Sequence, residues 1–236
     1  MAPYNGGGVI FVISAPSGVG KSTLAKAIVC RDKSFVHPVS YTTRIARPGE
    51  KDGDDYRYVT PKKFERLAKS GYFLEKAFVH GAHYATPKRE VERRLKEGKH
   101  VLFAIDVQGA RSIVRIFKDR CIRIFLLPPN RNTWLARLRK RQEAQWAERM
   151  AHAKIELAQM PSYDYCMVNG ELDKAINDFF AIARAEELRP AKFGGAQWLN
   201  GDRRTKKLSF PERRDVFNMR CVREHIDGLK NNNLIP

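Results

Sequence analysis

The sequence predicts an α/β fold with a parallel sheet, organised around one glycine-containing loop. Apolar runs of strand length alternate with helix-forming segments from residue 9 to about residue 188. The first apolar run, residues 9–13, leads into the loop at residues 13–23, and helix-forming residues follow at 24–29. Connections between the segments are short. Strands that alternate with helices over short connections are typical of a parallel sheet covered by helices.

The loop has the chemistry of a phosphate-binding loop. Gly18 and Gly20 allow several backbone N–H groups to point at one anion, and the helix that follows adds the positive end of its dipole. Lys21 can reach terminal phosphates, and Ser22 can offer its hydroxyl to Mg²⁺. A simple glycine turn between a strand and a helix is the alternative interpretation.

Length and charge limit the classes of function. A chain of 236 residues with 43% apolar residues can bury one sizeable core, which excludes disorder throughout. The formal net charge of +18 favours anionic partners such as nucleotides or nucleic acid, although a basic surface without a partner would give the same charge. The four cysteines are far apart, unlike a metal site or a disulfide framework. We see no signal-peptide or membrane-spanning pattern and expect a cytoplasmic protein.

A basic loop at residues 41–50 follows the first helix. Arg44 and Arg47 lie three residues apart among hydroxyl side chains, and each guanidinium can fork onto phosphate oxygens. A second phosphate site is one interpretation of this loop, and a solvated basic loop is the other. The acidic turn at residues 52–55 lacks the closing glutamate of a calcium loop, so a Ca²⁺ site is not expected there.

The next stretch predicts strands and helices in alternation. The predicted elements are strands at 56–59 and 73–79, helices at 62–70 and 88–97, and a loop at 80–87. Thr60 and Pro61 suit the cap and the first position of the helix at 62–70. From spacing alone, Glu75 is expected to be an exposed residue of its strand.

The remaining elements complete the alternation. The predicted strands are at 101–106, 122–127 and 165–168, and the predicted helices are at 108–117, from about 130, and from 172 to about 188. Asp106 is either an acid at the ligand-binding end of its strand or the N-cap of the next helix. Arg137 and Arg141 share one helix face, which either closes over an anion as a lid or is a solvated basic face.

Several separated motifs together carry a family resemblance. They are SAPSGVGKS at 14–22, SYTTR at 40–44, RPGE at 47–50, FLE at 73–75, IDVQG at 105–109, and YDY followed by VN within 163–169. In this order and spacing they resemble the guanylate kinase family over residues 8–189. The loop motif alone is shared by many nucleotide-binding proteins, whereas the combination is specific.

The resemblance implies an ATP:GMP phosphotransferase, a nucleoside monophosphate kinase of purine nucleotide salvage and GMP recycling. It would transfer the γ-phosphoryl group of ATP to GMP or dGMP and form ADP and GDP. The implied architecture is a P-loop NMP-kinase fold, with a parallel sheet core, an inserted GMP-binding lobe at about 40–92 and a helical lid at about 130–149. Residues 190–236 form a basic C-terminal extension on which the resemblance is silent.

The resemblance also assigns the site residues. The ATP residues are Ala15, Pro16, Ser17, Gly18, Val19, Gly20, Lys21 and Ser22, with Ser22 also on Mg²⁺. The GMP residues are Ser40, Arg44, Arg47, Tyr56, Glu75, Tyr84, Thr86 and Asp106, and the residues assigned to the transfer are Lys21, Arg44, Arg137, Arg141 and Arg149. Glu75 then becomes a specificity residue, because a carboxylate accepts from guanine N1–H and the 2-amino group, a donor pair that adenine lacks.

The chain also departs from the family pattern. Ala15 replaces the first glycine of the loop, Ala104 replaces the first acid of an Asp-x-Asp pair, residues 82–85 differ, and the segment between Arg141 and Arg149 is short. Ala104 and the short lid favour an alternative, a guanylate-kinase-like binding module without catalysis, although Lys21, Ser22 and the arginines argue against it. Nucleic-acid binding by the extension is not expected, since its basic group lacks interleaved aromatic residues. The sequence leaves the oligomeric state open.

Overall fold

The computed structural model describes residues 8–79, 81–139 and 146–189, with the side chains of residues 119 and 146–151 left out. The chain divides into two compact units. One contains Gly8–Ser14 and Ile28–Arg123, and the other contains Ala15–Ala27 and the described residues from Ile124 onward. The predicted extension at 190–236 lies outside the described residues.

The unit of Gly8–Ser14 and Ile28–Arg123 contains the first part of the parallel sheet. Its strands have the order β2 (Phe35–Val36), β7 (His100–Ala104) and β1 (Ile10–Ser14), and both pairings are parallel. All five residues of β1 are buried, which confirms the buried first strand.

A second sheet in the same unit was not foreseen. Its order is β4 (Arg57–Tyr58), β3 (Tyr41–Thr42), β6 (Ala82–Pro87) and β5 (Phe73–Val79), and β6 is antiparallel to both of its neighbours. The prediction of a loop at 80–87 is therefore wrong for Ala82–Pro87. Val79 pairs with Ala82, and Gly81 directly before Ala82 has a φ of +74°. The partner strand, rather than local propensity, makes this segment a strand.

The helices of this unit lie close to their predicted positions. They are α2 (Pro61–Lys69), α3 (Lys88–Lys96) and α4 (Val107–Phe117), and a 3₁₀ turn follows at Lys118–Arg120. The Thr60 hydroxyl caps α2 by accepting from the Lys63 amide at 3.3 Å, as predicted. Helix α1 (Lys21–Arg31) follows the loop at the end of β1.

The second unit contains a parallel strand pair with its helices. Strand β8 (Cys121–Leu127) pairs with β9 (Tyr165–Val168) from Ile124 to Leu127, and the helices are α5 (Arg131–Arg139), α6 (Trp146–Leu157) and α7 (Leu172–Glu187). The buried Phe179 and Phe180 anchor α7 in the core. These elements confirm the parallel α/β core. In the part of the chain that the structure describes, no helix is both long and apolar enough to cross a membrane.

Candidate active site

The loop between β1 and α1 has a backbone that requires its two glycines. Gly18 has a φ of +81° and Gly20 a φ of +105°, in the region that L-residues rarely adopt. A Cβ on Gly18 would lie 2.7 Å from Leu138 Cδ2, and a Cβ on Gly20 would lie 2.6 Å from Asn169 Nδ2. Ala15, in contrast, has no positive φ, so the first glycine of the pattern can be an alanine here.

Lys21 and Ser22 begin α1 directly after the loop. The Lys21 ammonium donates to the Ala15 carbonyl, which folds the side chain back over the loop. The Ser22 side chain is exposed on the first turn. The leading amides of α1 have no carbonyl partner within the helix, so this end of the helix attracts an anion.

Donors from α5 and from the end of β9 hold the loop's carbonyl groups. Trp134 Nε1 donates to the Ser17 carbonyl at 2.8 Å, and Asn169 Nδ2 donates to the Val19 carbonyl at 2.8 Å. Arg137 donates to the Val19 carbonyl at 3.2 Å and to the Asn169 carbonyl at 3.0 Å. Hydrogen bonds from these side chains to the loop's carbonyl groups therefore hold the loop in place.

Of the four arginines assigned to the transfer, the three from residue 137 onward have different outcomes. Arg137 is turned towards backbone carbonyls beside the loop, including that of Gly170 at 3.3 Å. Arg149 lies in the first half of α6, where only the backbone is described, and Arg141 lies outside the described residues. Their roles in charge neutralisation stay predictions.

Arg44 is the centre of a positively charged cluster in the unit that contains Ile28–Arg123. Its guanidinium makes a bidentate pair with Glu50, both N···O distances being 2.9 Å, and lies 5.4 Å from the centroid of the Tyr56 ring. Burial alone would raise the pKa of Glu50. Hydrogen bonds from Arg44, the Arg47 amide and the Tyr58 hydroxyl outweigh it and lower that pKa to about 2. Glu50 therefore stays ionised and orients Arg44.

Of the three other predicted phosphate ligands, Tyr56 and Tyr84 lie beside Arg44, and the Arg47 side chain is exposed to solvent. The Tyr56 and Tyr84 rings meet edge to face with centroids 5.8 Å apart. Burial raises the pKa of Tyr56, which keeps its hydroxyl a neutral donor. The Arg47 side chain is exposed, whereas its amide donates to Glu50 at 2.7 Å. Guanidinium groups and hydroxyl donors together suit a phosphate monoester.

Glu75 is buried, so the expectation of an exposed strand residue is wrong. Its side chain is 6% exposed, whereas the Lys76 side chain points out of the sheet. Thr86 Oγ1 donates to Glu75 Oε1 at 2.7 Å and lies 3.3 Å from Ser40 Oγ. Burial, together with the nearby Asp106 carboxylate, raises the pKa of Glu75 to about 7 against the effect of the Thr86 hydrogen bond.

Asp106 is the N-cap of α4. Its carboxylate accepts from the amides of Gln108 at 3.2 Å and Gly109 at 3.1 Å, and β7 ends two residues earlier at Ala104. A Cβ on Gly109 would lie 3.2 Å from Asp106 Oδ1 and 3.2 Å from Glu75 Oε2. The absence of a side chain at Gly109 therefore leaves room for both carboxylates.

Sequence reasoning missed several residues that hold these groups in place. Glu50 was seen only as part of a motif, and Gly109 could have been found as a glycine within a helix-forming segment. Trp134 gave no local signal, because its hydrogen bond joins residues 117 positions apart. The sequence marks Asn169 only as part of the VN motif at the end of a predicted strand.

Comparisons with known proteins indicate the same family as the sequence motifs. The family model described as guanylate kinase matches residues 8–186. A guanylate kinase of Sphingopyxis alaskensis is 41% identical over 185 residues, covering 77% of this chain and 84% of that protein. One of Vibrio parahaemolyticus is 42% identical over 192 residues, covering 79% and 92%. The crystal structure of guanylate kinase from Anaplasma phagocytophilum superposes with a TM-score of 0.69 at 31% identity, covering 84% of this chain and 97% of that one.

Proposed function

The chain belongs to the guanylate kinase family, and we propose that it binds ATP at the loop before α1 and GMP at the Arg44 and Glu75 clusters. The protein is an ATP:GMP phosphotransferase, which transfers the γ-phosphoryl group of ATP to GMP and forms ADP and GDP. The assignment of residues to the two substrates is argued below from the contacts within each unit.

The buried Glu75 is the observation that carries the assignment of the base. A carboxylate that is 6% exposed needs donors, and Thr86 supplies one. Guanine offers two more, N1–H and the 2-amino group, whereas adenine presents an acceptor at N1. Asp106 and Ser40, which the family resemblance assigns to the same base, lie nearby. With adenine in the site, Glu75 would lack the two donors of guanine, so the site favours guanine.

The Arg44 cluster suits the phosphate of GMP. Its guanidinium is already oriented by Glu50 and flanked by Tyr56, so little side-chain entropy is lost when a phosphate binds. Tyr84 adds a hydroxyl. The exposed Arg47 side chain is assigned to the same phosphate.

The loop and the first turn of α1 suit the phosphates of ATP. Gly18 and Gly20 have the backbone that turns N–H groups towards an anion, and Lys21 supplies a positive charge. Phosphoryl transfer needs little covalent help from the protein, because positioning and charge neutralisation supply most of the rate. These residues therefore hold the donor nucleotide and neutralise charge on its terminal phosphate.

Mg²⁺ is part of the proposal, with Ser22 as its ligand from the chain. No group of three His, Cys, Asp or Glu side chains that could hold a metal ion occurs among the described residues. An exposed hydroxyl at Ser22 still fits Mg²⁺, which takes few protein ligands and is held mainly by phosphates and water. Bound Mg²⁺ would neutralise charge on the transferring phosphoryl group.

The division of the chain follows from these assignments. The sheet β4-β3-β6-β5 supports a GMP-binding lobe at about residues 40–92. The lid at about 130–149 rests on the resemblance, since residues 140–145 lie outside the described ones. We propose a cytoplasmic enzyme with the small molecules ATP and GMP as its partners and no nucleic acid.

A coupled assay of ADP release tests the function. We expect turnover with GMP and dGMP and little with AMP or UMP. An absence of GMP-dependent turnover, or faster turnover with AMP, would falsify the proposal. Lys21→Ala should remove most of the activity, whereas Lys26→Ala, an exposed lysine of the same helix, should retain it.

Ala104 lacks the carboxylate that would support a hydrated metal ion, and this is the one feature of the described residues that favours a binding module without catalysis over the enzyme. Titration calorimetry separates the two. GMP binding without ATP binding would favour the module, and binding of both nucleotides with turnover excludes it.

A further inference from the structure

One face of α5 lies against the phosphate-binding loop. Trp134, Arg137 and Leu138, at positions i, i+3 and i+4 of the helix, meet three consecutive loop residues. Trp134 bonds the Ser17 carbonyl, Leu138 lies against Gly18, and Arg137 bonds the Val19 carbonyl.

The contact of Trp134 fixes one particular peptide. In a planar trans peptide, the carbonyl of one residue and the N–H of the next point in opposite directions. Holding the Ser17 carbonyl against the indole therefore turns the Gly18 N–H away from α5. The next peptide but one behaves in the same way. Asn169 Nδ2 donates to the Val19 carbonyl at 2.8 Å, so the Gly20 N–H points away from Asn169.

The indole is well placed to hold this orientation. Trp134 is 1% exposed, so water cannot readily replace the half-buried Ser17 carbonyl as the partner of the indole N–H, which donates to it at 2.8 Å. Gly18 lacks a Cβ and has a φ of +81°, so this peptide has an intrinsic freedom that the indole removes.

We propose that Trp134 is a positioning residue for the phosphates of the donor nucleotide. Its N–H fixes the Ser17–Gly18 peptide so that the Gly18 N–H faces the bound anion before the nucleotide arrives. The inference rests on the proposed binding of ATP at this loop. It assigns to Trp134 a role beyond filling the core, and nothing in the family motifs points to this residue.

Trp134→Phe removes the donor and keeps an aromatic ring. We expect the KM and the calorimetric Kd for ATP to rise by roughly 2- to 10-fold, the value of one hydrogen bond, while the KM for GMP stays within about twofold. Replacement of Trp134 by 3-benzothienylalanine, which keeps the two-ring shape and lacks the N–H, should give the same split if the phenylalanine variant fails to fold.

Phe179→Leu is the matched control for damage to the core. Phe179 is fully buried in α7 of the same unit, so this variant should lower the Tm without a selective change in the KM for ATP. The proposal is overturned if a folded variant without the indole N–H has the same KM for ATP as the parent. It is also overturned if the KM values for ATP and GMP rise equally. A parent enzyme without GMP-dependent turnover would instead overturn the proposed function.

Discussion

Glu75→Gln should make the protein more stable and a worse enzyme. The change keeps the shape of the side chain and removes its charge. Thr86 can still donate to the remaining oxygen, and the new amide group can face the Asp106 carboxylate instead of repelling it. The parent chain has to bury a carboxylate at this position, and the variant does not.

The size of the gain follows from the pKa of Glu75. Burial first, and then Asp106, raises it from 4.5 to about 7, which corresponds to about 3 kcal/mol between the protonated and ionised forms. Between these two values the folded state binds more protons than the unfolded state, so this group makes stability fall as the pH rises. Glu75→Gln should therefore add about 3 kcal/mol to the free energy of unfolding at pH 8 and about 1 kcal/mol at pH 5.

Urea unfolding at both pH values measures the stability, and ADP release measures the activity. We expect kcat/KM for GMP to fall by about 10- to 100-fold, because hydrogen bonds to a charged group are lost. Glu65→Gln is the control, since Glu65 is exposed on α2 and Lys69 lowers its pKa, so its removal should leave the pH dependence of stability between pH 5 and pH 8 unchanged. A variant with no extra stability at pH 8, or with undiminished activity towards GMP, refutes the argument.

Three further outcomes are expected. The kcat/KM for GMP should rise from pH 6 to pH 8 in the parent, since the carboxylate of Glu75 is the accepting form. In Glu75→Gln the rise should shrink to the part that the titration of GMP itself contributes. Gly109→Ala should not raise the Tm, because the gain in helix propensity is opposed by crowding of the Asp106 oxygen that caps α4. It should lower kcat/KM for GMP, because the new Cβ would lie 3.2 Å from oxygens of Asp106 and Glu75. Glu50→Gln should raise the KM for GMP by about 5- to 30-fold through loss of the bidentate pair with Arg44, and an unchanged KM would contradict this.

The features that the sequence predicted well are local ones. The phosphate-binding loop is visible because Gly18, Gly20 and Lys21 are close together in the chain and each has a separate physical requirement. The cap at Thr60 and the strand at 165–168 were predicted for the same reason. Each is specified by neighbouring residues, so no knowledge of distant partners is needed.

The features that were missed depend on partners far along the chain. Residues 82–87 have weak strand propensity and become β6 through pairing with β5 and β3. Glu75 looks like a surface residue until β6 and α4 enclose it. Its functional role was inferred from the family resemblance alone, because a charged residue in an alternating strand is ordinarily solvated.

Asp106 has a consequence for how the base preference of this enzyme can change. Its carboxylate caps α4 and also lies beside Glu75, so a substitution of Asp106 would destabilise the helix together with the proposed base site. Glu75 carries no such penalty, because its replacement relieves the burial of a charge. A change of nucleobase preference is therefore less costly in stability through substitution of Glu75 than of Asp106. In variants selected for another acceptor nucleotide, substitutions should appear first at Glu75.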